Sequence, residues 1–285
     1  MNIYPLSWTI PLFGGRSVDI TGYGIMMMVG FLVGGWLITL ELRRRGLYEE
    51  YAADMTVAAV IGGVLGAKLW YWVLHPESSL FSRGGLVWYG GFLGGFLAVV
   101  INGIRLKVPT AWTAHLAAPA LAAAYALGRI GCFIVNDDYG RPTTVPWAVK
   151  FPQGLPPSTA ANLQQQFGIP VPAGVDPATV LAVHPTQLYE VVLMLAAFAL
   201  LWRLRLKARP IGWIFGIYLL CAGAERFLIE IFRAKDDRFF GPLTIAQIMS
   251  LILVVVGTLV TTRFARGSDL APGAYLTRST PAERA

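Results

Sequence analysis

The sequence predicts an all-α integral membrane protein: seven transmembrane helices with a small extracytoplasmic cap inserted between helices 4 and 5. Three observations predict it. The 285 residues are 55% hydrophobic and 14% charged, with a mean hydropathy of +0.58, which is too apolar for a soluble domain of this size. The apolar residues fall in long blocks, each near the roughly 20 residues that cross a ~30 Å hydrocarbon core. The basic residues alternate between rich and poor connections, as they do when Lys and Arg are retained on the cytoplasmic side.

In order, the spans read at 22–42, 53–75, 85–104, 112–136, 188–206, 210–233 and 243–265. Residues 1–19 hold no basic residue before Arg16 and no apolar core followed by a small-residue cleavage site, so the first span is expected to stay. The long connection, 137–187, carries nine of the 18 prolines. Unpaired backbone of that kind cannot lie in lipid, so it is expected to form a water-facing cap. Within it, 145–151 predicts a short strand and 158–167 a short amphipathic helix. The chain thus divides into helices 1–4 (1–136), the cap (137–187), helices 5–7 (188–265) and a tail (266–285).

With the N-terminus outside, the inner segments hold 13 of the 23 basic residues and the outer segments six. The remaining four, Lys68, Arg129, Arg226 and Arg233, lie within spans. The C-terminus and tail are then cytoplasmic. A net charge of +7 in short juxtamembrane clusters suits anionic membrane lipids and argues against nucleic acid. Cys132 and Cys221 both fall in spans and read as small apolar fillers. No internal repeat of the kind that marks a transporter is visible.

A charge inside a span costs roughly 2.5–3.5 kcal/mol on insertion scales, so each one needs a reason. Lys68, Arg129, Arg226, Glu230 and Arg233 all fall in the outer half of the predicted bundle. With them come Tyr23, Tyr89, Glu190 and Gln247. Arg226 and Arg233 share one helix face about 10 Å apart, with Glu230 between them. An Arg-Glu-Arg ladder that reaches to the interface is the bland account. Arg129 and Arg226 lie too deep for it, and two buried guanidinium groups on different helices call for an anion. In an outer leaflet that anion is a phospholipid phosphate. Lys68 is either a third cation for it or a structural partner of Glu190 or Glu225, and His184 is either a helix cap or a proton carrier.

Several segments resemble prolipoprotein diacylglyceryl transferases of bacteria. They are Tyr23-Gly24, Gly66 to Tyr71, Gly84 to Gly91, Gly128-Arg129-Ile130-Gly131-Cys132-Phe133-Ile134 with Gly140-Arg141-Pro142, His184 to Glu190, Arg226 to Arg233, and Leu243 to Ser250. The resemblance implies transfer of the diacylglyceryl group from phosphatidylglycerol to the lipobox cysteine of a prolipoprotein signal peptide. It places the protein in the bacterial inner membrane and calls for no cofactor or metal. It implies catalytic roles for Arg129, Arg226 and Tyr89, and substrate-binding roles for Tyr23, Lys68, Gly140, His184, Gln187, Glu190, Glu230 and Arg233. The chain departs from the family's pattern at five positions. Tyr89 stands for a usual His, Cys132 and Val135 for Asn, Asp137 for Glu, and Lys68 for Arg. Loss of that His removes the obvious thiol base, since Tyr titrates near 10.

Two alternatives remain at this stage: a headgroup enzyme with another acceptor, and a non-catalytic lipid-binding membrane protein. A retinal protein is disfavoured by the absence of lysine from 243–265.

Overall fold

The computed structural model describes residues 1–11, 17–77, 87–171, 174–207, 209–234, 238–240, 243–265 and 270–278. The Gly84-Gly85-Leu86 part of the third motif lies outside these residues, as do Arg16, Arg83, Lys235, Arg266 and Arg284. Seven long helices run through the described chain: α1 (Gly22–Arg44), α2 (Tyr51–Leu74), α3 (Trp88–Arg105), α4 (Thr110–Ile134), α6 (Thr186–Leu204), α7 (Trp213–Glu230) and α8 (Ile245–Ala265). A short α5 (Ala160–Gln165) lies between α4 and α6. Five of the long helices (α1, α2, α4, α6 and α8) are long and apolar enough to cross a membrane, and α3 carries a shorter apolar stretch. Large apolar side chains stay exposed along α2, α3 and α8, among them Leu65, Leu69, Leu97, Ile104, Val255 and Leu259. Such a surface is stable only against lipid, and the protein is a multi-pass membrane protein.

α4 is the pillar. It packs along α1 and α6 and also touches α7 and α3, while α2 pairs with α3 and α7 with α8. The pairings use small residues. A Cβ on Gly66 would lie 2.8 Å from the Gly94 Cα, so the α2 and α3 backbones meet directly.

The helices leave two distinct ends. At one, Leu6 N–H donates to the Ile134 carbonyl and Gly22 N–H to Leu6, seating the N-terminal segment on α4. Here too stands the lobe formed by 135–185, with its own core of Tyr139, Val149, Phe151, Leu163, Ile169 and Val183. Its helix α5 lies inside the predicted 158–167 segment. The strand expected over 145–151 does not form. Val149 and Lys150 make only isolated bridges, to Val183 and Asn2, because the neighbouring backbone turns at residues 146–147 instead of extending. Two features went unpredicted: the antiparallel hairpin β1 (Ser7–Pro11) and β2 (Ser17–Thr21), and the small β3 (Arg238–Phe240)–β4 (Leu243–Thr244) pair.

At the opposite end, buried Glu41 accepts from Arg44, Arg45 and Arg205, tying α1 to the end of α6. The C-terminal segment folds back there. Trp112 Nε1 donates to the Leu270 carbonyl, Tyr275 bonds Asp54, and Leu276 is fully buried beside Leu42 and Tyr51.

Candidate functional site

Arg129 lies five residues before the end of α4, and Tyr125, one turn back, braces it with its hydroxyl 3.2 Å from Nε. Arg226 and Glu230 close α7, and Arg233 follows just beyond it on the same face. Glu190 sits in the second turn of α6, fully buried. These three helices and the lobe, which brings Asp138, converge on one closed circuit of charges. Asp138 Oδ2 meets Arg129 Nη1 at 2.8 Å, and Arg129 Nε meets Glu190 Oε2 at 2.7 Å. Glu190 Oε1 then reaches Arg226 Nη1 at 3.7 Å, and Arg226 Nη2 meets Glu230 Oε2 at 2.6 Å. Glu230 Oε2 lies 3.9 Å from Arg233 Nε, and Arg233 Nη2 returns to Asp138 Oδ1 at 2.6 Å.

Three guanidiniums and three carboxylates balance formally, which offsets the cost of holding charge away from water. The balance is not matched by hydrogen-bond geometry everywhere. Arg226 Nη1 and Arg233 Nε are buried donors with no aligned acceptor among the described residues. Carboxylate oxygens of Glu190 and Glu230 are likewise buried without an aligned donor among those residues, so the circuit is held by charge more than by hydrogen-bond geometry.

The lobe supplies Asp138 through a strictly held backbone. Asn136 and Asp138 both take positive φ, at 62° and 61°, a conformation that Asn and Asp tolerate better than most side chains. Thr186 Oγ1 donates to the Asp138 carbonyl at 2.9 Å, and Gln187 Nε2 donates to that of Asp137. Asp137 Oδ1 accepts from Asp138 N–H. The His-Pro-Thr-Gln-Leu-Tyr-Glu segment thus places both Glu190 and, from outside, Asp138. Burial alone would raise the Asp138 pKa, but the Arg233 and Arg129 guanidiniums hold it well below the usual carboxylate range. Asp137, which bonds neither arginine, is pushed up by burial and by Asp138.

Gly140 is required by packing. A Cβ there would lie 2.5 Å from the Phe232 carbonyl oxygen, 2.7 Å from Thr186 Cγ2 and 2.8 Å from His184 Cβ. The backbone bridge to Arg233 and the Arg141 N–H bond to the Phe232 carbonyl, 2.8 Å, dock the lobe onto the end of α7 through this gap.

Of the residues singled out from sequence, Arg129, Glu190, Arg226, Glu230 and Arg233 meet in the circuit, and Gln187 and Gly140 support it. Tyr23 opens α1 against Gly131 of α4. Lys68 sits on α2, 5.8 Å over the Tyr71 ring. Tyr89 begins α3 and is 62% exposed. His184 lies in the lobe, its Nδ1 3.0 Å from the Tyr189 hydroxyl, which also accepts from Trp147; burial lowers its pKa. Sequence reasoning missed Asp138, Tyr125 and Thr186. No group of three or more His, Cys, Asp or Glu side chains among the described residues forms a metal site.

The family model described as prolipoprotein diacylglyceryl transferase matches residues 12–263. Three similar proteins each bear the name phosphatidylglycerol–prolipoprotein diacylglyceryl transferase. That of Clostridium tetani is 30% identical over 257 residues, covering 87% of this chain and 95% of the relative. The Sodalis glossinidius protein is 33% identical over 269 residues, 87% of this chain and 90% of the relative. That of Nitrosomonas europaea is 32% identical over 254 residues, 82% of each.

Proposed function

The chain belongs to the prolipoprotein diacylglyceryl transferase family, and from that premise we propose that it moves the diacylglyceryl group of phosphatidylglycerol onto a prolipoprotein. The acceptor is the lipobox cysteine of the signal peptide, and the reaction is the first step of lipoprotein maturation. The protein works in the bacterial inner membrane as seven spans, N-terminus outside and C-terminus cytoplasmic. The 135–185 lobe caps its outer face, and the C-terminal tail lies inside.

The observation that carries this reading is the circuit of three arginines, bound on one side to the lobe and on the other to the helices. The cysteine sulfur attacks the glyceryl carbon that bears the phosphate ester. The C–O bond breaks, its electron pair goes to the phosphate oxygen, and glycerol phosphate leaves. Charge grows on that oxygen in the transition state, and guanidiniums fixed around it stabilise the transition state more than the ground state. Arg129 and Arg226 carry this role, and Arg233 holds the headgroup. Glu190 and Glu230 keep the arginines from rotating away. The thiol proton goes to the phenolate form of Tyr89, exposed at the start of α3, with the neutral imidazole of His184 the other candidate. Tyr23 and Lys68 complete the substrate-binding surface, and buried Gln187 and Gly140 hold the lobe that frames it.

The test is complementation of a bacterial strain depleted of its own diacylglyceryl transferase. Restored growth and diacylglyceryl-modified prolipoprotein are expected. Expression in the membrane without either result overturns the reading.

A further inference from the structure

The guanidiniums that should hold a phosphate are not waiting empty. Every arginine of the circuit already has a carboxylate, so an incoming phosphate must either add to a balanced set or displace one member. The three carboxylates are not equally able to leave. Glu190 and Glu230 have side-chain exposures of 0% and 1%, and release of either would strand a buried charge. Asp138 is 34% exposed although both its arginines are far more buried, at 16% and 12%. Its backbone is clamped by Thr186, Asp137 and Gln187, so only its short side chain needs to turn. Its two oxygens, one on each guanidinium, occupy the places that two phosphate oxygens would take.

We infer that Asp138 is a built-in exchangeable anion: it closes the Arg129–Arg233 pair in the resting enzyme, yields to the lipid phosphate, and returns to expel the glycerol phosphate product. The inference rests on the headgroup reading of the circuit. A desolvated pair of guanidiniums with no internal competitor would hold a phosphate monoester product tightly and slow turnover. A tethered carboxylate weakens substrate and product alike, because apparent affinity falls by the fraction of time the pair is open. A carboxylate in place about nine-tenths of the time hides about tenfold of affinity. Asp138 is a positioning residue in this scheme, since it acts through the arginines.

The experiment uses the full chain in lipid nanodiscs and measures inhibition and direct binding by glycerol phosphate and by inorganic phosphate. Asp138→Asn is expected to bind glycerol phosphate about tenfold or more tighter, to lower KM for phosphatidylglycerol and to lower kcat as product release slows. Asp138→Glu, which keeps a carboxylate, is expected to stay near the parent. Asp137→Asn controls for simple loss of negative charge, because Asp137 touches neither guanidinium, and it is expected to change affinity little. Asp138→Ser reports the same quantities if the Asn variant fails to fold. Equal tightening in Asp137→Asn and Asp138→Asn, or unchanged affinity in Asp138→Asn and Asp138→Ser, overturns the inference while leaving the headgroup reading standing. No binding by parent or any Asp138 variant overturns both.

Discussion

At the scale of single residues, a charge has a different meaning inside a span than outside it. Arg129, Glu190, Arg226, Glu230 and Arg233 were legible in the sequence because each cost something where it stood, and the structure joins all five. Asp138 was not legible. It follows α4 in a polar, proline-rich stretch where an aspartate costs nothing, and only the fold carries it back over the helix ends. The Asp137-Asp138 doublet was visible, but nothing local separates the member that bridges two arginines from the one that bridges none. Two predictions belong at this scale. Arg226→Gln removes a charge from the departing phosphate while leaving a hydrogen-bonding amide, and transfer should fall by 10²–10³ in a radiolabelled lipid assay. Retention of activity within about tenfold assigns Arg226 to structure alone. Tyr89→Phe keeps the ring and removes only the hydroxyl. A loss of 10² or more is expected if the hydroxyl takes the thiol proton. Unchanged transfer would move the base to His184.

At the scale of elements, the apolar stretches read from hydropathy fall within about three residues of the helices observed, five of which are long and apolar enough to cross a membrane. The detail of the lobe was not legible. Short bridges such as Val149 to Val183 depend on partners more than thirty residues away, which no local pattern encodes. What joins lobe to bundle is Gly140 on one side and the Asp138 ion pairs on the other. Gly140→Ala pushes a methyl group into the Phe232 carbonyl and His184. It should cost about 1–3 kcal/mol, read as a lower unfolding midpoint in detergent. An unchanged midpoint would show that the lobe can shift to make room. The ion-pair side of the joint carries a pH signature. Because the folded Asp138 pKa is depressed, its contribution is fully present above the ordinary Asp value near 3.9 and is lost as pH falls through the lower folded value. The stability gap between parent and Asp138→Asn should therefore stay constant at neutral pH and narrow on acidification below about pH 4. A gap independent of pH throughout acid unfolding would mean that the carboxylate charge does not hold the lobe.

At the scale of the whole molecule, the proposed reaction depends on which side of the membrane the circuit faces, because the acceptor thiol must reach it. The chain builds its two ends differently. One carries the lobe, the N-terminal segment and the arginine circuit. The other carries Glu41 with its three arginines and the docked 270–278 segment, whose Leu276 has no exposed surface. The excess of Lys and Arg counted outside the expected spans is the ground for the orientation proposed above, with this second end cytoplasmic and the lobe outside. Two positions test the assignment without touching the circuit: Gln164, exposed on α5, and Lys207, exposed just past α6. In a background with Cys132 and Cys221 replaced by alanine, Gln164→Cys should react with a membrane-impermeant maleimide in cells whose outer barrier has been opened. Lys207→Cys should react only after the inner membrane is broken. The opposite pattern would set the arginines against the cytoplasmic leaflet, away from an extracytoplasmic lipobox cysteine, and the transfer chemistry assigned to this end would have no acceptor.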